Sequence, residues 1–274
     1  MKTKLIKTLF FLLTLNSFSQ EITFVKDEIL NKYKETGFLK KSFIPVGKID
    51  EKHNKQGFWK NYITIKDFIC VSNNGKPKKV NGFFLIYGEG SYINSKRTGK
   101  WTYYTIEDKT YKKILQKEVN YIDGFSDGAF KYFFTSGNIA LKGNNNRSIN
   151  ERTIELYYLS GEIFATQHYK NKLKTGTQKF FYRNGVIHQK HNYNKGKKNG
   201  VQYYYHKNGQ LWTEQIFNND LLLNIKANYT QNGKLRDKGT IKDGNGTVKL
   251  YNEEGKVRTI ITYKNGLKIN EKKL

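Results

Sequence analysis

Residues Gly176 to Gly200 read GTQKFFYRNGVIHQKHNYNKGKKNG, and much of the remaining chain restates this stretch with local changes. It holds two runs rich in aromatic and aliphatic residues, separated by glycine-containing turns. The turn glycines Gly137, Gly161, Gly185, Gly209, Gly233 and Gly255 follow one another at intervals of 24, 24, 24, 24 and 22 residues. Four residues before each stands an aromatic ring: Phe133, Tyr157, Phe181, Tyr205, Tyr229 and Tyr251. Two residues after each stands an aliphatic: Ile139, Ile163, Ile187, Leu211, Leu235 and Val257. A second turn is expected at Gly128, Arg152, Gly176, Gly200, Asn224 and Gly246. A fixed period of this length marks a repeat architecture.

Each half-unit is a short run of Tyr, Phe, Ile and Thr bounded by Asn-Gly or Lys-Gly, the pattern of strand and hairpin. The expected fold class is all-β, an elongated antiparallel β-meander of tandem two-stranded hairpin repeats. Asn-Gly suits a two-residue turn or a three-residue loop with glycine in the left-handed position of a bulge. The three-residue loop sets Phe181 opposite Ile187, Tyr205 opposite Leu211 and Tyr229 opposite Leu235. The two-residue turn would send the two columns to opposite faces. The loop is favoured, on the argument that the most regular columns should line the buried face. Apolar residues make up 37 % of the chain and aromatic ones 15 %, so the core must be thin and built largely from rings.

Outward from the regular block, degenerate units are read at HNKQG57FWKNY, KKVNG82FFLIY and SKRTG99KWTYY. A longer loop or hairpin is expected around EDKTYKK between Thr105 and Tyr121, and NNNRS at 144–148 replaces one turn between repeats. Residues 1–19 carry Lys2, Lys4 and Lys7, then LFFLLTL, then Ser17 and Ser19 around Phe18. A basic start, a short apolar run and small residues before a cut read as a secretory signal peptide. The apolar run is too short to span a bilayer, so no transmembrane segment is expected in the mature chain. Residues 20–48 fall outside the repeat; VKDEILNKYKETG suggests a short helix acting as an N-terminal cap. The array itself is assigned to 49–274, with no internal boundary. Cys70 stands alone, which excludes an intrachain disulfide.

The pattern G-x-W-x-Y-Y, then Asn-Gly-x-Leu, then Tyr-x-x-Gly-x-x-x-Gly resembles the MORN repeat in its bacterial variant form. GKWTYY at 99–104, NYNKGKKNGVQYYY at 192–205 and YYYHKNGQL at 203–211 carry the resemblance, which extends over roughly 49–274. It implies β-hairpin repeats used for binding, without a catalytic constellation. Some bacterial relatives are labelled antitoxin components, and relatives in other organisms are linked to membrane attachment and scaffolding. The export signal fits poorly with a cytoplasmic antitoxin. Arg152 and Asn224 replace the family's second glycine.

Motifs for chemistry are weak. His188 and His191 are three apart, which on a regular strand places them on opposite faces, and a zinc site needs further ligands. DGNGTVKLYNEE at 243–254 begins like a calcium loop, but Val248 stands where the sharp turn requires glycine. Ser136, Ser160 and Thr135 lack a paired base, and Gly244-x-Gly246 lacks the strand–helix setting of a phosphate loop. No catalytic residue, metal or cofactor is expected.

The formal net charge is +26. Turns of a meander alternate between two long edges, and basic residues gather on one: Lys96 and Arg97; Lys170, Lys172 and Lys174; Lys195, Lys197 and Lys198; Lys264 and Lys268. Asp123, Asp127 and Asp220 interrupt them. Such lysines keep an open sheet soluble and block edge pairing, or they dock it on an anionic surface. Lys170, Lys172, Lys174, Lys195, Lys197 and Lys198 form the candidate binding site. Its expected partner is a protein or an anionic envelope surface, lipid or acidic polysaccharide; nucleic acid is disfavoured, since an exported protein meets it less often. The sequence thus reads as an exported, non-enzymatic binding or scaffolding module of the bacterial envelope. The rival readings are an antitoxin or immunity-type protein that binds a toxin, and an accessory to an envelope hydrolase.

Overall fold

The Tyr182–Val186 loop sets the geometry of every repeat. The Gly185 amide donates to the Tyr182 carbonyl at 3.0 Å, and the Tyr182 amide donates to the Val186 carbonyl at 2.8 Å. Arg183, Asn184 and Gly185 therefore form a three-residue loop, with Gly185 at φ 80° as the bulge residue. The same outer bond recurs from Phe134 to Asn138, Tyr158 to Glu162, His206 to Gln210, Thr230 to Lys234 and Asn252 to Lys256. The expected pairs form as read: Phe181 opposite Ile187, Tyr205 opposite Leu211, and Tyr229 opposite Leu235.

The computed structural model describes residues 46–71, 77–106, 112–252 and 254–274, with side chains described outside 46 and 62–86. The signal-peptide and cap segments lie outside the described residues except for 46–48, which enter a strand; the side chain of Cys70 also lies outside them. Two compact units are present. The first contains β1 (Val46–Ile49), β2 (Lys55–Val71), β3 (Pro77–Ile93), β4 (Lys96–Ile106), β5 (Lys113–Ile122), β6 (Phe125–Phe133) and β7 (Ile139–Asn146). Each pairs antiparallel with the next. Gly82 is not a repeat turn as expected: it lies within β3, and β2 and β3 form one long hairpin. β4 and β5 pair on either side of EDKTYKK, of which 107–111 lie outside the described residues.

The second unit contains β8 (Glu151–Tyr157), β9 (Ile163–Lys170), β10 (Leu173–Lys174), β11 (Gly176–Phe181), β12 (Ile187–Asn194), β13 (Lys197–Lys198), β14 (Gly200–Tyr205), β15 (Leu211–Asn218) and β16 (Leu221–Asn228). It closes with a separate three-stranded sheet of β17 (Gly246–Tyr251), β18 (Val257–Lys264) and β19 (Leu267–Lys273). The architecture is an antiparallel meander of hairpins. Between β16 and β17 the chain leaves the sheet, and Ile241 packs with Leu222, Ile225 and Val248.

The second set of turns is not where the glycine spacing suggested. Asn171-Lys172, Lys195-Gly196, Asn219-Asp220 and Asn265-Gly266 make the reversals, both residues of each at positive φ. That is the two-residue hairpin form whose twist matches the strands. Gly176 (φ 62°) and Gly200 (φ 80°) lie beyond these reversals, where strand pairing is interrupted. Arg152 and Asn224, read as defective turns, both lie inside strands.

The buried face also differs from expectation. Its columns are Phe130, Ile154, Gln178, Gln202 and Val248, facing Gln167, His191 and Ile261 across the hairpins. Phe181, Tyr205 and Tyr251 alternate away from these and are half-buried on the other face. The regular columns are regular because the loop fixes their pairing. Inner positions vary because each repeat fills a different local space. Where the inner residue is Trp101, its ring lies flat on Gly90: a Cβ there would come within 2.4 Å of it.

Candidate functional site

Each repeat hands specific bonds to its neighbour at both edges. At the loop edge, Asn184 Nδ2 donates to the Lys207 carbonyl at 3.0 Å, and Asn208 Nδ2 to that of Gln231 at 2.9 Å. The same side chains accept from Val186 and Gln210 within their own loops. Tyr158 and Tyr182 hydroxyls donate to the Phe181 and Tyr205 carbonyls at 2.8 Å, and His206 Nε2 reaches the Tyr229 carbonyl at 2.9 Å. The Asn-Gly signal thus covered only half of what the asparagine does.

At the interrupted pairings, a buried glutamine replaces backbone. Gln178, fully buried, accepts from the His168 amide at 3.1 Å and donates to the His168 carbonyl at 3.0 Å. Gln202 does the same for Asn192, at 2.9 and 3.1 Å. A primary amide offers one acceptor and two donors, so it can stand in for a strand neighbour. The signal was present as Gly-x-Gln at 176–178 and 200–202, but a buried polar column runs against the usual expectation for a core.

His191 faces Gln178 across the hairpin and is buried among Phe180, Tyr193 and Tyr204. Burial pushes its pKa down to about 3, with Lys198, Lys174 and His188 adding to the effect. His188 is the extra residue of the bulge between the Gln189 and Ile187 pairings, and its ring packs on Tyr182 at 4.3 Å. The equivalent bulge residues Phe164 and Trp212 pack on the inner rings Phe180 and Tyr204. The strict alternation expected of His188 and His191 therefore fails at the bulge. Among the described residues no three His, Cys, Asp or Glu side chains are placed to hold a metal ion.

The six candidate lysines all lie on the edge of two-residue turns, in three environments. Lys172 and Lys195 occupy the turns at φ 65° and 46° and are exposed, as is Lys197. Lys170 is exposed and paired with Glu151 at 3.1 Å. Lys174 lies 5.0 Å from the Tyr193 ring centroid and Lys198 lies 5.1 Å from that of Phe217. Burial lowers both ammonium pKa values; Lys198 adds to the fall at Lys174, while Asp220 opposes it at Lys198. Their carbonyls accept the Gly196 and Asp220 amides at 2.8 and 3.0 Å, joining one turn to the next. Lys55 over Trp59 and Tyr92, and Arg97 over Trp101 and Tyr121, repeat the cation-on-ring contact in the first unit. Lys174 and Lys198 thus support the edge, and Lys172, Lys195 and Lys197 present charge from it.

The period, the bulged loop and the glycine break recur at 174–195, 198–219 and 245–265, and these segments match the family model of the MORN repeat variant. Three segments of the chain are similar to the MORN repeat variant. The first two matches begin at Lys174 and Lys198, so a cation held on a ring opens these two segments, and all three segments end at the first residue of a two-residue turn. No curated protein matches the chain. MORN repeats make a repeat-type binding module, a class that is generally non-enzymatic. No helix among the described residues is long and apolar enough to cross a membrane.

Proposed function

We propose that the protein is an exported, non-enzymatic binding module that docks on an anionic surface of the cell envelope through its turn edge. The export part rests on the sequence of residues 1–19. The docking part rests chiefly on one observation: exposed lysines Lys172, Lys195 and Lys197 share their edge with exposed apolar side chains. Leu173 beside the first turn is 48 % exposed, Ile149 is 49 % and Leu267 is 60 %. Apolar tips among cations suit an anionic lipid surface, where each lysine near the headgroups adds about 1 kcal/mol. The rigid reversals and the stitched carbonyls hold these side chains in fixed register without prior ordering.

The full chain is tested by co-sedimentation with phosphatidylcholine vesicles, with and without phosphatidylglycerol, across a salt series. Replacement of Lys172, Lys195 and Lys197 by Gln should abolish both binding and its salt dependence. Replacement of Lys207, Lys234 and Lys256, at the loop edge, should leave both in place. Equal loss in the two triples would reduce the effect to bulk charge. Absence of vesicle binding together with capture of one protein toxin would replace this reading with an immunity role. N-terminal sequencing of the native mature protein should start at or near Gln20; an intact Met1 would remove export.

A further inference from the structure

We propose that the half-exposed face of the second unit carries a separate site for a linear, carboxylate-bearing polysaccharide, centred on Lys179 and Lys190. The register places these two lysines directly opposite each other on β11 and β12. Thr166 and Tyr203 flank them on the neighbouring strands, so Thr166, Lys179, Lys190 and Tyr203 form one row across four strands. Like charges directly opposed in a sheet destabilise it, and neither lysine has an ion-pair partner among the described residues. Lys190 Nζ lies 5.6 Å from the Tyr203 ring centroid, and Lys179 is exposed. The acids at the two ends of the row are otherwise engaged: Glu155 accepts from the Tyr157 hydroxyl, and Glu214 pairs with Lys226 at 3.8 Å. A carboxylate arriving between Lys179 and Lys190 relieves their repulsion.

The adjacent row supplies flat apolar surface. Phe181 pairs with Ile187 and Tyr205 with Leu211, and the Tyr203 and Tyr205 rings stack at 6.4 Å with an interplanar angle of 23°. Sugar rings present C–H faces that pack on such surfaces, while carboxylates need the cations beside them. The Phe181 and Tyr205 positions are two strands apart, about 10 Å, a step suited to an extended polymer that repeats its ring orientation every second sugar. An extended peptide fits less well, because β11, β12 and β14 are paired on both sides and offer no main-chain edge. In the first unit Lys131 also faces Lys142, but there Glu118 lies directly opposite Lys131 on its other side, where the second unit has Thr166.

This site is distinct from the turn edge, and either can fail without the other. Calorimetry of the full chain with polygalacturonate, and with its neutral methyl ester, reads it directly. The wild type should bind the acid form and ignore the ester. Lys179→Gln with Lys190→Gln should weaken binding about tenfold or more while leaving the melting temperature unchanged or raised, since the opposed charges are gone. Lys179→Arg with Lys190→Arg should retain binding. The edge triple at Lys172, Lys195 and Lys197 should bind the polymer as wild type does. The proposal is overturned if the wild type shows no preference for the acid form, if the glutamine pair binds unchanged, or if the edge triple loses as much. It is equally overturned if the glutamine pair loses phosphatidylglycerol vesicles rather than the polysaccharide, which would make this face a lipid platform.

Discussion

At the scale of the residue, the surprising feature is a buried column of amides where rings were expected. Gln178 satisfies the amide of His168 where β11 has no backbone acceptor to offer, and shares the His168 carbonyl with the Thr175 amide. Gln178→Leu keeps similar bulk but leaves the His168 amide unpaired, while the His168 carbonyl keeps the Thr175 amide at 3.1 Å, so the cost is about 1–3 kcal/mol for one unsatisfied group. The expected result is a lower urea midpoint with an unchanged denaturant slope. Across the hairpin, burial holds the His191 pKa down to about 3 in the folded state, against an ordinary value of 6.5. Between these values the unfolded chain binds more protons, so the stability tied to neutral His191 is full above about pH 6.5 and is lost as pH falls toward 3. His191→Phe should flatten the melting temperature profile over that window; an unaltered profile would place the acid sensitivity elsewhere.

At the scale of the element, the loop was legible and its neighbour was not. Tyr182–Val186 could be read because glycine spacing reports a steric requirement: a residue at φ 80° in the bulge. A Cβ added at Gly185 would meet nothing within 4 Å, so Gly185→Ala isolates the backbone cost, about 1–2 kcal/mol. Gly185→Asn should recover part of it, because asparagine tolerates the left-handed region; thermal melts of the two variants provide the comparison. Gly176 and Gly200 were misread as turns for the same reason they are useful there. Positive φ marks an interruption as well as a reversal, and spacing alone does not separate the two. The true reversals at Asn171-Lys172 and Asn219-Asp220 contain no glycine. The candidate lysines all lie on the edge of two-residue turns, yet which are exposed depends on Tyr193 and Phe217, contributed by the following strand. Pattern within one strand carries no record of that contact.

At the scale of the whole molecule, contacts run from each repeat to the next, as in other tandem arrays. Deleting residues 176–199 should therefore join Thr175 to Gly200 in the position Gly176 held and leave a folded protein. Deleting 176–187 removes a strand and a loop but keeps the next turn, so the inner column would be carried to the wrong register. Circular dichroism and size-exclusion chromatography should find the first variant folded and the second aggregated; equal behaviour would mean that the 24-residue interval is not the structural unit. The face assignment was not recoverable from the array pattern alone. Both faces carry rings at fixed spacing, and the outer face is the more regular of the two.

The asparagine and tyrosine bonds at the loop edge have a consequence for how such a gene changes. Asn184 gives to Lys207 what Asn208 gives to Gln231, and Tyr182 gives to Tyr205 what Tyr158 gives to Phe181. A copied segment of 24 codons would arrive with donors for the unit after it and acceptors for the unit before it. Lengthening by unequal recombination then requires no compensating substitution at either junction. The 22-residue interval between Gly233 and Gly255 breaks that equivalence. Duplication should accordingly be inherited cleanly on the amino-terminal side of Gly233 and poorly beyond it.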